Sequence, residues 1–443
     1  MTIQLSDHFT YRKLFRFTLP SIAMMIFTSI YGVVDGYFVS NYIGKTPFAA
    51  VNFIWPFLMV LGAFGFMFGT GGSALVAKTL GEGDGDRANR LFSLFIYISI
   101  VCGIVITVLG LICIRPIAAL LGAEGEMLDN CVTYGSIILL AMTPYMLQME
   151  FQSFFVTAER PNLGLVVTLA SGITNIVLDA LLVAVIPMGL VGAALATALS
   201  QAVGGFLSLA FFLKPNPKNR LNLTKTKYDG KALLKACTNG SSELMSNISM
   251  SLVGMLYNTQ LMKYAGEDGV AAYGVLMYVS MIFMAIFIGY AIGTAPIIGY
   301  NYGAMNSGEM KSLLKKSFTI IGITSVCMLF LSFALAAPLS RLFVGYDPEL
   351  FALTNRGFAI YSFCFLFCGV AIFGSSFFTA LNNGLISALI SFLRTVVFQV
   401  AAVIILPLIW GIDGIWCSVV VAELMAFAVT ICFVIAQRSK YHY

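Results

Sequence analysis

An aspartate sits inside ITNIVLDALLV, Ile173 to Val183, itself part of an apolar run from Leu163 to Ile186. Asn175 and Asp179 are four residues apart, so they share one helical face. A second aspartate, Asp35, lies in another apolar run with Tyr31 at the same spacing, and Thr197 lies in a third. A carboxylate in hydrocarbon costs about 3 kcal/mol on insertion scales, and intramembrane acids usually mark ion pathways. Two carboxylates brought together cannot both ionise cheaply. Such a pair holds a proton, or a Na⁺ whose shell Asn and Thr oxygens complete, and the residue types suit either. For Tyr31, Asn175 and Thr197 the competing reading is hydrogen bonding between helices, at about 1 kcal/mol each.

The elements that must position these groups are membrane helices. The 443 residues are 59% hydrophobic and 10% charged, against about 25% charged in soluble domains. About twelve runs reach the roughly 20 residues that span a bilayer. They are 14–39, 48–77, 91–114, 130–157, 163–186, 189–213, 236–262, 270–300, 316–337, 350–379, 385–409 and 412–436. No soluble domain is left over. The first run is too long for a signal-peptide core and lacks a cleavage pattern, so it counts as a helix. The fold class is an all-α integral membrane protein.

Orientation follows from Lys and Arg. With the N-terminus in the cytoplasm, only Lys45, Arg115, Lys263 and Arg341 fall in outer loops. Both termini are therefore expected inside, in a multi-pass protein of the cytoplasmic (inner) membrane. The net charge of +5 then expresses topology rather than nucleic-acid binding. At about 1.5 Å per residue, Asp35 lies roughly 9 Å, Asp179 roughly 10 Å and Thr197 roughly 12 Å below the outer edge. Three side chains on three helices thus reach one layer.

Several chemistries are excluded. The histidines are His8 and His442, at the two tails, so proton chemistry inside the membrane must use carboxylates. The nine cysteines show no paired ligand spacing, and the i,i+4 pair Cys364 and Cys368 reads as packing. No metal beyond a possible Na⁺ and no cofactor is expected. The absence of GxxxxGK[ST] argues against a nucleotide-driven pump, and no HExxH, GxSxG or Asp-rich motif supports an intramembrane enzyme.

The stretch Lys214–Lys235 is the most hydrophilic internal segment and divides the spans six and six. The expected units are a lobe at 1–213, a cytoplasmic linker at 214–235 and a lobe at 236–443. A shift of 222 residues superposes the halves without a gap: Gly32 meets Gly254, Gly44 meets Gly266, Gly71 meets Gly293, and Gly189 meets Gly411. Six spans per half make the repeat parallel, with a pseudo-twofold axis along the membrane normal and a cavity between the lobes. That is transporter architecture. The acids are not shared: Asp35 meets Tyr257, Asn175 meets Val397 and Asp179 meets Ala401. Glu150, with Gln152 beside it, could face the cavity or reach the inner surface; Glu423 and Arg394 could neutralise one another. Met and aromatic clusters such as Tyr273, Met277, Tyr278 and Met281 suit adaptable apolar binding, or plain packing.

Together YGVVDGYFVSNYIGKTPFAAV, GTGGSALVAKTLGEGDGDRANR, ITNIVLDALLV, GLVGAALATALSQ and GTAPIIGYNYGAMNSGEMK make the chain resemble the MATE (multidrug and toxic compound extrusion) transporters. The resemblance covers nearly all the spans and is nearest to the bacterial MepA-like and DinF-like branches. It implies a cation site at Asp35, Asn175, Asp179 and Thr197, coupled to export of amphipathic, often cationic, organic compounds in exchange for H⁺ or Na⁺. It also makes Pro20 a hinge candidate, beside the plain reading of a break near a helix start. The seventh span departs from the family: many relatives have a proline near its start, where this chain reads NGSSELMSN with Glu243 close to the cytoplasmic edge, and another branch has a deeper glutamate where this chain has Ser251 and its neighbours. Coupling is therefore expected in the N-terminal half. The partners expected are small amphipathic molecules and lipid, with no nucleic acid and no nucleotide, and the chain is taken as a monomer. The alternative is a lipid-linked oligosaccharide flippase of the wider superfamily, which would need a basic cavity; Arg394 is the one clear intramembrane base.

Overall fold

The computed structural model describes residues 3–443, and among these every regular element is helical. The first half contains α1 (Tyr11–Phe38), α2 (Lys45–Gly81), α3 (Gly85–Leu120), α4 (Gly125–Leu140), α5 (Met142–Thr157), α6 (Pro161–Asp179) and α7 (Leu190–Leu213). The second contains α8 (Gly230–Gly303), α9 (Ser307–Val344), α10 (Pro348–Tyr361), α11 (Phe365–Ala380), α12 (Gly384–Phe392), α13 (Gln399–Trp410) and α14 (Ile412–Ala436). Among the described residues ten helical segments are long and apolar enough to cross a membrane, or eleven if α4–α5, bent by 57°, counts as one span. The 74 residues of α8 are broken at Gly266, with φ 63° and ψ −150°. An unbroken helix of that length would measure about 110 Å, against about 30 Å of hydrocarbon. Divided there, α8 is long enough for two crossings rather than one.

The internal repeat is visible in the backbone. Gly44 and Gly266 both take positive φ, as do Gly189 and Gly411, and each pair matches under the 222-residue shift. Left-handed backbone without a Cβ penalty is what glycine supplies at such turns. The repeat also pairs Asp84 with Asn306; their side chains cap α3 and α9 by accepting from Arg87 N and Glu309 N. The α4–α5 bend has its counterpart in the 3₁₀ turn Ser362–Cys364 between α10 and α11.

Two lobes result, each with its own apolar core: one cluster runs through Leu261, Phe287, Phe365 and Trp416, others through Ile54, Ile138, Phe92 and Phe154. Residues 214–229 carry no helix and lie along α3, where Asn222 N donates to Asn89 Oδ1 at 2.8 Å and Thr224 N to Ser93 Oγ at 2.8 Å. Towards the end of the molecule that carries both termini, the lobes touch backbone to backbone. A Cβ on Gly240 would lie 2.0 Å from the Met67 carbonyl oxygen, and one on Gly303 2.0 Å from that of Lys78. Asn382 Nδ2 donates across to Ala74 O at 3.2 Å. At the opposite end a Cβ on either repeat partner, Gly32 or Gly254, would meet nothing within 4 Å. Gly240→Ala is expected to force α2 and α8 apart at a cost of about 1–3 kcal/mol, read as a lower melting temperature of the purified protein.

A strap before α1 reinforces the closed end. Leu5 and Phe9 are buried in the core of the second lobe. Leu5 N donates to Glu159 Oε1 at 2.9 Å, Phe9 N donates to Glu309 Oε1 at 2.9 Å, and His8 Nδ1 lies 2.6 Å from Glu309 Oε2. Lys316 Nζ donates to Phe9 O. Glu309→Ala should weaken docking of this strap by about 2 kcal/mol, seen as faster proteolysis before Tyr11 with the helical core intact.

Candidate functional site

Asp35 stands on the last α-helical turn of α1, and Asp179 is the last α-helical residue of α6. Both helices then widen into π turns, Val39–Ile43 and Ala180–Val185. Such turns recur at functional sites, because the extra residue shifts the backbone register. Thr197 Oγ1 of α7 donates to Asp35 Oδ1 at 3.2 Å. Asp179 and Asn175 face the same Asp35 carboxyl. The structure therefore brings these four side chains together.

Burial is uneven across the group. Asp179 is 0%, Asn175 2% and Thr197 7% exposed, while Asp35 is half-buried. Both Asp179 oxygens and Asn175 Oδ1 have no hydrogen-bond partner among the described residues. No Lys, Arg or His pairs with either aspartate there. Buried acceptors left without donors are costly, and like charges side by side more so. One proton between the carboxyls, or one small hard cation among carboxylate, amide and hydroxyl oxygens, removes both penalties. No cluster of three His, Cys, Asp or Glu suited to another metal occurs among the described residues.

Tyr31 packs against α6, where a Cβ on Gly172 would lie 2.9 Å from Tyr31 Cδ1. Tyr134 of α4 was not singled out by the sequence, yet it is fully buried and lies within reach of Asp35, Asp179 and Thr197. The signal was present: Tyr134 is nine residues after Gly125, where α4 starts, so rise alone places it about 13 Å down.

Other candidates fall elsewhere. Glu150 reaches neither a cavity nor a surface: it is 0% exposed, beside Ser99 of α3, and neither oxygen has a hydrogen-bond partner among the described residues. The reason is α2, which crosses so closely that a Cβ on Gly69 would lie 2.9 Å from Glu150 Cα. Gln152 is also buried with its amide unpartnered among the described residues. Pro20 is not a break near a helix start, since α1 begins at Tyr11, capped by Thr10, and runs through it. Pro20 has no N–H to give the Arg16 carbonyl.

The second lobe is built differently at the matching positions. Tyr257, the counterpart of Asp35, donates its hydroxyl to Gln399 Oε1 at 2.6 Å and stacks on Tyr273 at 5.5 Å. Arg394 Nε donates to both Glu423 oxygens, at 3.0 and 2.9 Å. Glu243 lies half-buried within electrostatic reach of Arg394. Cys364 and Cys368 are buried in the apolar core.

The MatE family model matches residues 20–181 and 244–405, one stretch in each half. The chain is 25% identical over 431 residues to the multidrug export protein MepA of Staphylococcus haemolyticus, covering 97% of this chain and 94% of that one. It is 24% identical over 430 residues to MepA of Staphylococcus aureus, with 97% and 94% covered. Among solved structures, a MATE in complex with MaL6 superposes with a TM-score of 0.93 at 22% identity, over 98% of both chains. A multidrug resistance MATE family transporter in an outward-facing conformation superposes with a TM-score of 0.92 at 21% identity, over 98% of this chain and 97% of that one.

Proposed function

Given that the chain belongs to the MatE family of transporters, we propose that it is a secondary active multidrug exporter. It exchanges H⁺ or Na⁺ for amphipathic, often cationic, organic compounds. The single observation that carries the reading is the carboxyl pair of half-buried Asp35 and fully buried Asp179, which has no basic partner among the described residues and occurs in one lobe only. Two further features support it: lobes packed backbone to backbone at the terminal end, and a half-buried Asp35 set towards the other end. With the termini in the cytoplasm of the inner membrane, the packed end is the cytoplasmic one. The lobes are 1–213 and 236–443, joined by the cytoplasmic segment 214–235, and the chain works as a monomer without cofactor or nucleotide.

In the cycle, cation entry from outside joins Asp35 and Asp179 and favours one arrangement of the lobes, while substrate prefers the other. Pro20, where α1 lacks one backbone bond, is the place where that helix can bend. The flippase reading loses its base, because Glu423 already occupies Arg394. The test is uptake of a fluorescent cationic dye by inside-out vesicles under a pH gradient and a Na⁺ gradient applied separately. Uptake driven by one gradient names the coupling ion; none under either, with protein in the membrane, would overturn the reading.

A further inference from the structure

One helical turn from the carboxyl site, on its terminal side, three helices are tied by side chains outside the cation site. Gln148 Nε2 of α5 donates to Ser171 Oγ of α6 at 3.2 Å. Ser171 Oγ donates in turn to the Ser200 carbonyl of α7 at 2.7 Å. All three residues are buried. The Gln148 amide lies flat on Gly204, where a Cβ would stand 2.5 Å from Gln148 Cδ, so α7 is shaped to admit it. Ser171 is one turn before Asn175, and Ser200 one turn past Thr197. The tie thus sets the register of α6 against α7 next to the atoms that face Asp35. Under the 222-residue shift its two side-chain members, Gln148 and Ser171, meet Val370 and Leu393, neither of which can make it. It belongs only to the lobe that carries the acids.

We infer that Gln148 is a positioning residue for cation coupling, an inference that rests on reading Asp35 and Asp179 as the coupling site. Through Ser171 it holds Asn175 and Thr197 at the spacing at which both reach Asp35. A constellation held by locked neighbours keeps its affinity, and one whose support loosens loses it.

The test is ion-linked melting of the purified full-length protein, with pH and Na⁺ varied separately, alongside dye export. A cation that binds the folded state raises its melting temperature, so the wild type shows a midpoint that Asp179→Asn abolishes. Gln148→Leu and Ser171→Ala should each move that midpoint to about fivefold higher ion concentration. Maximal export, and melting without added ion, should stay as in the wild type, and the variants' melting should fall behind as ion is raised. The double variant should shift no further than the larger single, and Ser171→Thr, which keeps the hydroxyl, should keep the midpoint. Should Gln148→Leu fail to fold, Ser171→Ala carries the test alone. Unshifted midpoints, or melting lowered equally at every ion concentration, would reduce Gln148 to a packing residue. A wild type with no ion-linked midpoint would overturn the coupling reading itself, and this inference with it.

Discussion

Asp179→Asn is expected to bring gradient-driven export to the background of vesicles without the protein, a loss of about a hundredfold or more, the scale at which a group acting in the key step is missed. Asparagine keeps the size and one oxygen of the side chain, yet it can neither exchange a proton nor neutralise Na⁺. The fold should survive, because neither Asp179 oxygen is hydrogen-bonded and no base is left unpaired by its removal. Replacing a buried lone carboxylate tends to stabilise, so the melting temperature should hold or rise. Asp35→Asn should behave alike, since its remaining oxygen can still accept from Thr197. The double variant should be no worse than either single, as groups acting as one unit are not additive. Dye uptake under each gradient checks this; half the wild-type rate in either variant would remove that residue from the site.

Much of this site was legible because helical rise is constant. Counting from loop ends placed Asp35, Asp179 and Thr197 in one layer, and the structure joins them. The same rise brings Tyr134 of α4 to the group, but a tyrosine in an apolar run carries no charge to draw notice to it. Glu150 shows the limit of such reasoning. Its depth could be counted, but what covers it is set by α2 pressing its backbone at Gly69 onto α5, a tertiary choice with no local sequence mark.

The repeat was legible through its glycines, since Gly44, Gly189, Gly266 and Gly411 all need left-handed backbone. The bend between α4 and α5 has one mark, Pro144 in the first turn of α5, which has no N–H to give the Leu140 carbonyl. The π turns after Asp35 and Asp179 were not legible: they follow from packing between helices and stand on the ordinary stretches VSNYI and ALLVAV. The strap before α1 was hidden for another reason. Leu5 and Phe9 read as a polar tail's stray apolar residues until Glu159 and Glu309 of different lobes are seen holding their amides.

The buried pair in the second lobe should show the opposite behaviour. Arg394→Met leaves Glu423, 2% exposed, without its only ionic partner among the described residues. Breaking a buried pair from one side costs about 3–5 kcal/mol, so this variant should melt far lower and accumulate poorly. Glu423→Gln should be milder, because the long arginine stem can carry its head towards water. The double variant Arg394→Met with Glu423→Leu should return to within about 1 kcal/mol of the wild type, as apolar replacements of buried pairs do. It should also keep export, measured with the same dye assay. A double variant as unstable as Arg394→Met would mean that the pair does more than cancel its own charges; a neutral Arg394→Met would mean that it holds nothing. The contrast between the lobes is what gives the result its meaning. One lobe gives its buried carboxylate an arginine, which makes the charge a brace between α14 and the π turn Leu393–Phe398. The other leaves two carboxyls facing each other with no base, and only an arrangement so short of positive charge has reason to draw a cation from solution and let it go again.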